Sequence, residues 1–183
     1  MQKLKISLLL LLWLNMLTAN LAFARDGLDE NLISIYINSI NEKEWSDIPD
    51  LWVKGQRDIL INFFNNMQNK GQKVGLFNIN KAQTVASKQI PYEYGKIYIP
   101  TRYIETFIDP HIFYVAVNYE VFKEDKYHIN GVNYFFIVTV LEGGKRKIVL
   151  TPHVPVNQII RDGYGYGTAD EKTFDERRIK YVQ

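Results

Sequence analysis

The chain predicts an α+β fold, with helices first and an antiparallel sheet after them. Three observations carry that expectation. Apolar residues recur at helical spacing through the first third, the period switches to alternation after Gly71, and the turn dipeptides Asn130-Gly131 and Gly143-Gly144 bracket an alternating stretch.

The first segment is not part of that fold. Lys3 and Lys5 precede an apolar run from Ile6 to Leu14, and the segment closes on Ala22-Phe23-Ala24. Positive charge, a short apolar core and an A-x-A end are the parts of a secretory signal peptide. A membrane span needs roughly 18 apolar residues, and Asn15, Thr18 and Asn20 interrupt the run before that. The expected organisation is a signal peptide over 1–24, an α+β domain over 25–167 and a charged tail over 168–183. Cleavage after Ala24 takes two lysines and no acids, so the formal charge falls from +2 to zero over the remaining 159 of the 183 residues. A neutral chain gives no electrostatic argument for nucleic acid or for an anionic membrane, and no membrane span is expected after cleavage. Cysteine is absent, which excludes disulfides, thiolate catalysis and Cys-ligated zinc. There is no N-x-S/T sequon.

Leu28, Leu32, Tyr36 and Ile40, flanked by Ile33 and Ile37, form one apolar stripe of a first helix. Asp26 and Asp29 lie at its start, where carboxylates suit the free N–H groups. A short second helix is expected after Trp45, with Ser46 as its cap and Pro49 in its first turn, turning Leu51 and Trp52 inward. The third helix has Ile59, Leu60, Phe63, Phe64 and Met67 at i, i+1, i+4, i+5 and i+8 and stops at Gly71. Burying those five side chains would contribute on the order of 7–15 kcal/mol, an upper estimate.

Strands are expected over 74–79 and 83–90, and the stretch from Tyr92 to Tyr103 reads as strand or loop, punctuated by Gly95 and Pro100. Ile112 to Phe122 is a long strand with Phe113, Val115, Val117, Tyr119 and Val121 on one face. Val132 to Glu142 and Lys145 to Thr151 complete a meander joined by tight turns. Val154 to Arg161 predicts a short closing helix ended by Gly163. The run Gly163-Tyr164-Gly165-Tyr166-Gly167 reads as a mobile spacer, and Thr168 with Glu171 has the spacing of a capping box for a last charged helix.

Helices first, the segment from Tyr36 through Asn38-Ser39-Ile40-Asn41 to Trp45, and the meander from Ile112 to Thr151 together resemble the nuclear-transport-factor-2-like, cystatin-like α+β cone over residues 28–162. The Gly163 to Thr168 piece is similar to the end of such modules in secreted Gram-positive bacterial proteins. The resemblance implies a cone-shaped pocket between sheet and helices, used by some members for catalysis and by many for binding or dimerisation. Fold alone does not assign a function.

Candidate sites are few. His111, His128 and His153 have no metal-ligand spacing, and neither a metal nor a cofactor is expected. His128 sits near a predicted turn and reads as solvated, while His111 and His153 are placed to meet at one sheet end beside Asp109. Tyr114, Asn118 and Glu120 share a strand face. Lining a cone, Glu120 would be a general base with a raised pKa; alternation favours a solvated Glu120, because the opposite face is the more apolar. Tyr92, Tyr94 and Tyr98 have equal parity, so an extended chain would show three phenols to a sugar, peptide or protein. The alternative is that they pack across neighbouring strands. The tail glycines lack the G-x-G-x-x-G spacing of a nucleotide loop, and no G-x-S-x-G elbow supports a hydrolase.

The resulting expectation is a secreted, non-enzymatic binding or scaffolding module for an extracytoplasmic protein or cell-wall polymer. A small-molecule isomerase or dehydratase with a cone pocket is the alternative, and a homodimer formed through an open sheet face is a third reading.

Overall fold

The structure, a computed structural model, describes residues 28–181, so the expected signal peptide lies outside the described residues. Helix α1 runs over residues 28–42. A 3-10 turn at Ile48–Leu51 leads to α2 (Lys54–Asn65) and α3 (Met67–Gly71). The sheet then forms from β1 (Ile79–Ile90), β2 (Ile108–Val121), β3 (Gly131–Glu142) and β4 (Lys145–Leu150). Between β1 and β2 stand α4 (Tyr92–Gly95), a 3-10 turn and α5 (Thr101–Ile104). The chain closes with α6 (Val156–Arg161) and α7 (Ala169–Ile179). The fold is α+β, with one open antiparallel sheet in the order β1-β2-β3-β4. Among the described residues no helix is long and apolar enough to cross a membrane.

Register fixes which side chains share a face. Phe113 pairs with Ile137, Val115 with Phe135 and Val117 with Asn133, so alternate residues of β2 and β3 line up. On one face Phe113, Val115, Val117, Tyr119, Phe135 and Ile137 pack against α1. The five α1 side chains that meet them, Leu32, Ile33, Tyr36, Ile37 and Ile40, are all buried at i, i+1, i+4, i+5 and i+8. On the other face Ile112, Tyr114, Tyr134, Phe136 and Val138 pack against the α4–α5 region, α6 and Phe174 of α7. The sheet is therefore covered on both sides, and β2 is buried without a break from Ile112 to Val117.

Several expectations need correction. The burial assigned to the third helix belongs to α1: α2 has no fully buried residue, and Ile59 and Met67 are 61% and 77% exposed. That helix is also not continuous to Gly71. Asn66 ends α2 and caps α3, its Oδ1 accepting from Gln68 N at 2.9 Å and Asn69 N at 3.3 Å. Residues 75–78 form a 3-10 turn instead of a strand, and β1 is a single strand with bulges at Ile79/Lys81 and Thr84/Ala86. Asn130-Gly131 does not close a two-residue hairpin, because residues 122–130 separate β2 from β3. Gly143-Gly144 does, with φ of 58° and 77° as such a turn needs.

The tail is also built into the body. Glu171 is fully buried, and its carboxylate accepts from Tyr114 Oη at 2.8 Å, Tyr166 N at 2.8 Å and Gly167 N at 2.8 Å. Thr168 Oγ1 caps α7 by accepting from Glu171 N at 3.2 Å. The Tyr166 ring stacks on Tyr114 at 5.2 Å, so the segment 163–167 is a packed strap and not a loose spacer.

Candidate functional site

A cleft of about 520 Å³ opens beneath α2, on the α1 side of the sheet. Ile59, Leu60 and Phe63 of α2 form its roof, Tyr36 and Trp52 one wall, and Tyr127, His128, Thr151, Pro152 and His153 the other. A narrow inner end of about 50 Å³ reaches Tyr119 and Phe135 on the sheet. The exposed stripe of α2 acquires a meaning here: a helix that buries nothing fully in the core holds its apolar face over a space.

The walls are held rigidly. Val53 N donates to Ile148 O at 2.9 Å, which ties Trp52 and the start of α2 to β4. The 122–130 connection is pinned by two buried asparagines. Asn78 exchanges hydrogen bonds with the Lys123 backbone, its Nδ2 donating at 2.6 Å and its Oδ1 accepting at 3.0 Å. Asn133 bridges the Ile129 backbone in the same manner, at 2.6 Å and 3.1 Å. Asp125 Oδ1 accepts from the N–H groups of Tyr127 and His128. Phe136 N donates to Pro152 O at 3.0 Å, fixing the segment that carries His153.

Three ring nitrogens in this lining are buried without a hydrogen-bond partner among the described residues: Trp52 Nε1, His128 Nδ1 and His153 Nδ1. Buried polar groups are ordinarily satisfied, and an unsatisfied one costs about 1–3 kcal/mol. Burial, and after it the charge of Arg178 and the neighbouring His128, bring the His153 imidazole down from 6.5 to about 4. Burial also lowers His128, opposed by the carboxylate of Asp125. Both rings are thus neutral at pH 7, each with one nitrogen that donates and one that accepts. The hydroxyls of Tyr36 and Tyr119 are held protonated by burial. Such a cleft can take up an apolar group and offer it a few hydrogen bonds, which is how small-ligand pockets are built.

The residues singled out from sequence lie elsewhere. Tyr92, Tyr94 and Tyr98 fall on helical turns instead of an extended chain, and they pack toward the opposite sheet face. Tyr94 stacks on Tyr164 at 4.0 Å and donates to Asp162 at 2.9 Å, while Tyr98 meets Phe136 edge-on at 6.1 Å. They do not form an open ladder of phenols. Tyr114 is fully buried on that same face, bonded to Glu171. Asn118 and Glu120 are solvent-exposed at the end of β2, and Glu120 lies 3.6 Å from Lys81. Glu120 is outside the cleft and does not stand in an apolar pocket.

The histidines also regroup. His128 is not solvated, its side chain being only 14% exposed, and His153 joins it in the cleft. His111 instead sits in a closed cluster at the far end of the sheet. There Asp29, fully buried, accepts from Thr139 Oγ1 at 2.5 Å and faces His111 Nδ1 at 2.8 Å. Arg146 Nη2 lies 2.6 Å from Asp109. Asp109 does stand beside His111, at 3.3 Å, in a left-handed conformation with φ of 54°. This cluster clamps the start of α1 to β2, β3 and β4. Among the described residues no group of three His, Asp or Glu is placed to hold a metal ion.

No protein-family model, curated protein or solved structure matches this chain.

Proposed function

We propose that this chain is an exported, non-enzymatic binding module that takes up an apolar group of an extracytoplasmic protein or cell-envelope polymer in the cleft beneath α2. The observation that carries the reading is the combination of an apolar space of about 520 Å³ with three buried ring nitrogens that lack partners. A ligand supplying those partners would relieve an unfavourable desolvation while burying apolar surface. Immobilised protein should retain material from a detergent-solubilised cell-envelope fraction. Leu60→Arg, which places a charge in the half-buried roof, should lose that retention while unfolding at the same denaturant concentration. Equal retention by the two proteins would reject the cleft as the site.

A second reading, an isomerase or dehydratase, draws on one feature: two imidazoles kept neutral in a cleft can act as bases. It predicts that retained material is recovered chemically altered, and that His128→Ala and His153→Ala each abolish the change. Recovery of unaltered material favours the binding module.

A further inference from the structure

Resting on the reading of the cleft as a binding site, we propose that its ligand is an alkyl carboxylate, with the chain under α2 and the carboxylate held by His153 and Arg178. The chain end of this assignment follows from the lining. Trp52, Leu60, Phe63 and Leu76 offer hydrocarbon and aromatic surface, and among the described residues no Asp, Glu, Lys or Arg lines the cleft. The chain must therefore be uncharged, and the volume lies within the range of small-ligand pockets.

The head end follows from what stands behind His153. The same imidazole also lines an adjoining cavity of about 350 Å³, whose other residues include Asp175 and Arg178 of α7. Arg178 Nη1 is buried there with no hydrogen-bond partner among the described residues. Asp175, one turn earlier, is engaged elsewhere: its Oδ2 accepts from Asn157 N, in the first turn of α6, at 2.9 Å. A buried guanidinium N–H without an acceptor is costly, and a carboxylate is the acceptor that matches it in both charge and planarity. His153 stands beside that cation as a neutral ring, and in the tautomer with its proton on Nδ1 it donates a second hydrogen bond without adding a second positive charge. The Asp175 carboxylate stays on the Asn157 N–H, and the ligand carboxylate takes the Arg178 Nη1 that Asp175 does not bond. An ammonium head would meet the charge of Arg178, and an alcohol would supply only a weak, uncharged acceptor.

Isothermal titration of the purified protein with decanoate, decanol and decylamine tests the assignment. Decanoate should bind more tightly than decanol, and decylamine should be weakest. Arg178→Gln should weaken decanoate about tenfold, the low end for a charge-assisted hydrogen bond, and leave decanol unchanged. Arg178→Lys keeps the charge and should retain the preference for decanoate. Leu60→Arg should abolish binding of both chains. If decanol binds as tightly as decanoate and Arg178→Gln changes neither, the carboxylate assignment is overturned while the cleft survives as a site. If neither decanoate nor decanol binds the unmodified protein, the cleft reading goes as well.

Discussion

Lowering the pH should destabilise this protein through His153 in a way that can be isolated from general acid denaturation. Burial holds its imidazole at about 4, against 6.5 for the free side chain. Between those values the unfolded chain binds a proton that the folded chain refuses, so stability rises with pH across that window. The contribution is intact above about pH 6.5, is lost progressively as pH falls to about 4, and falls no further below that. At 1.36 kcal/mol per unit, the loss is about 3 kcal/mol, and the lowered His128 adds in the same direction. Urea denaturation at a series of pH values from 7.5 to 4, on the natural protein and on His153→Gln, measures it. The natural protein should lose about 3 kcal/mol more than the variant across the window. Parallel curves, or a His153 ring resonance that titrates near 6.5, would refute the claim that this ring is desolvated.

Further substitutions probe the body that supports the cleft. Gly95→Ala would place a methyl group 2.7 Å from Ile112 Cδ1 and 3.1 Å from Ile90 Cδ1; a loss of about 1–3 kcal/mol is expected from overpacking, and an unchanged urea midpoint would contradict it. Phe174→Ala, which empties a fully buried position on α7, should cost about 3–5 kcal/mol, whereas Lys172→Ala on the exposed side of the same helix should stay within about 0.5 kcal/mol; equal effects would mean that the tail is not docked. Asp29→Ala should cost about 1–3 kcal/mol, because it leaves the buried Thr139 hydroxyl without its acceptor while Arg146 keeps Asp109. By contrast Glu120→Gln, an exposed residue 3.6 Å from Lys81, should change stability by less than about 1 kcal/mol.

The sheet was legible because its signals are local. Alternation through β2 and β3 and the paired glycines at 143–144 depend on neighbours within a few residues, and the meander follows from them. The helices were legible in type but not in rank. α1 and α2 carry apolar residues at the same spacing, so nothing local says that the first is buried and the second roofs a cleft. The break at Asn66 was hidden because an asparagine within a helical pattern reads as an ordinary polar residue until it caps. The tyrosines at 92, 94 and 98 looked like one strand face, since parity assumes an extended chain and the backbone there turns helical after Pro91. The tail misled for another reason: Gly-Tyr repeats have the composition of a spacer, and only the buried carboxylate of Glu171 makes them a strap.

The cleft was the least legible part. Its polar atoms come from Trp52, from the connection after β2 and from the connection after β4, segments about 75 and 25 residues apart in sequence. They converge only because β2, β3 and β4 pair in one register. His128 beside a predicted turn reads as solvated by any local rule, and a turn against the body of the protein reverses that.

The account depends most on the cleft beneath α2 being where this protein makes contact. The chain has three tryptophans, Trp13, Trp45 and Trp52, and loss of the expected signal peptide removes the first. Trp52 lines the cleft with its indole N–H unpartnered, while Trp45 stacks on Phe64 outside that lining. The indole ¹⁵N–¹H signals of the purified protein, followed during titration with soluble cell-envelope extract, read the two sites side by side. The account predicts that the Trp52 signal moves, that the Trp45 signal stays, and that Leu60→Arg freezes both. A binding extract that shifts Trp45 and leaves Trp52 in place would contradict it.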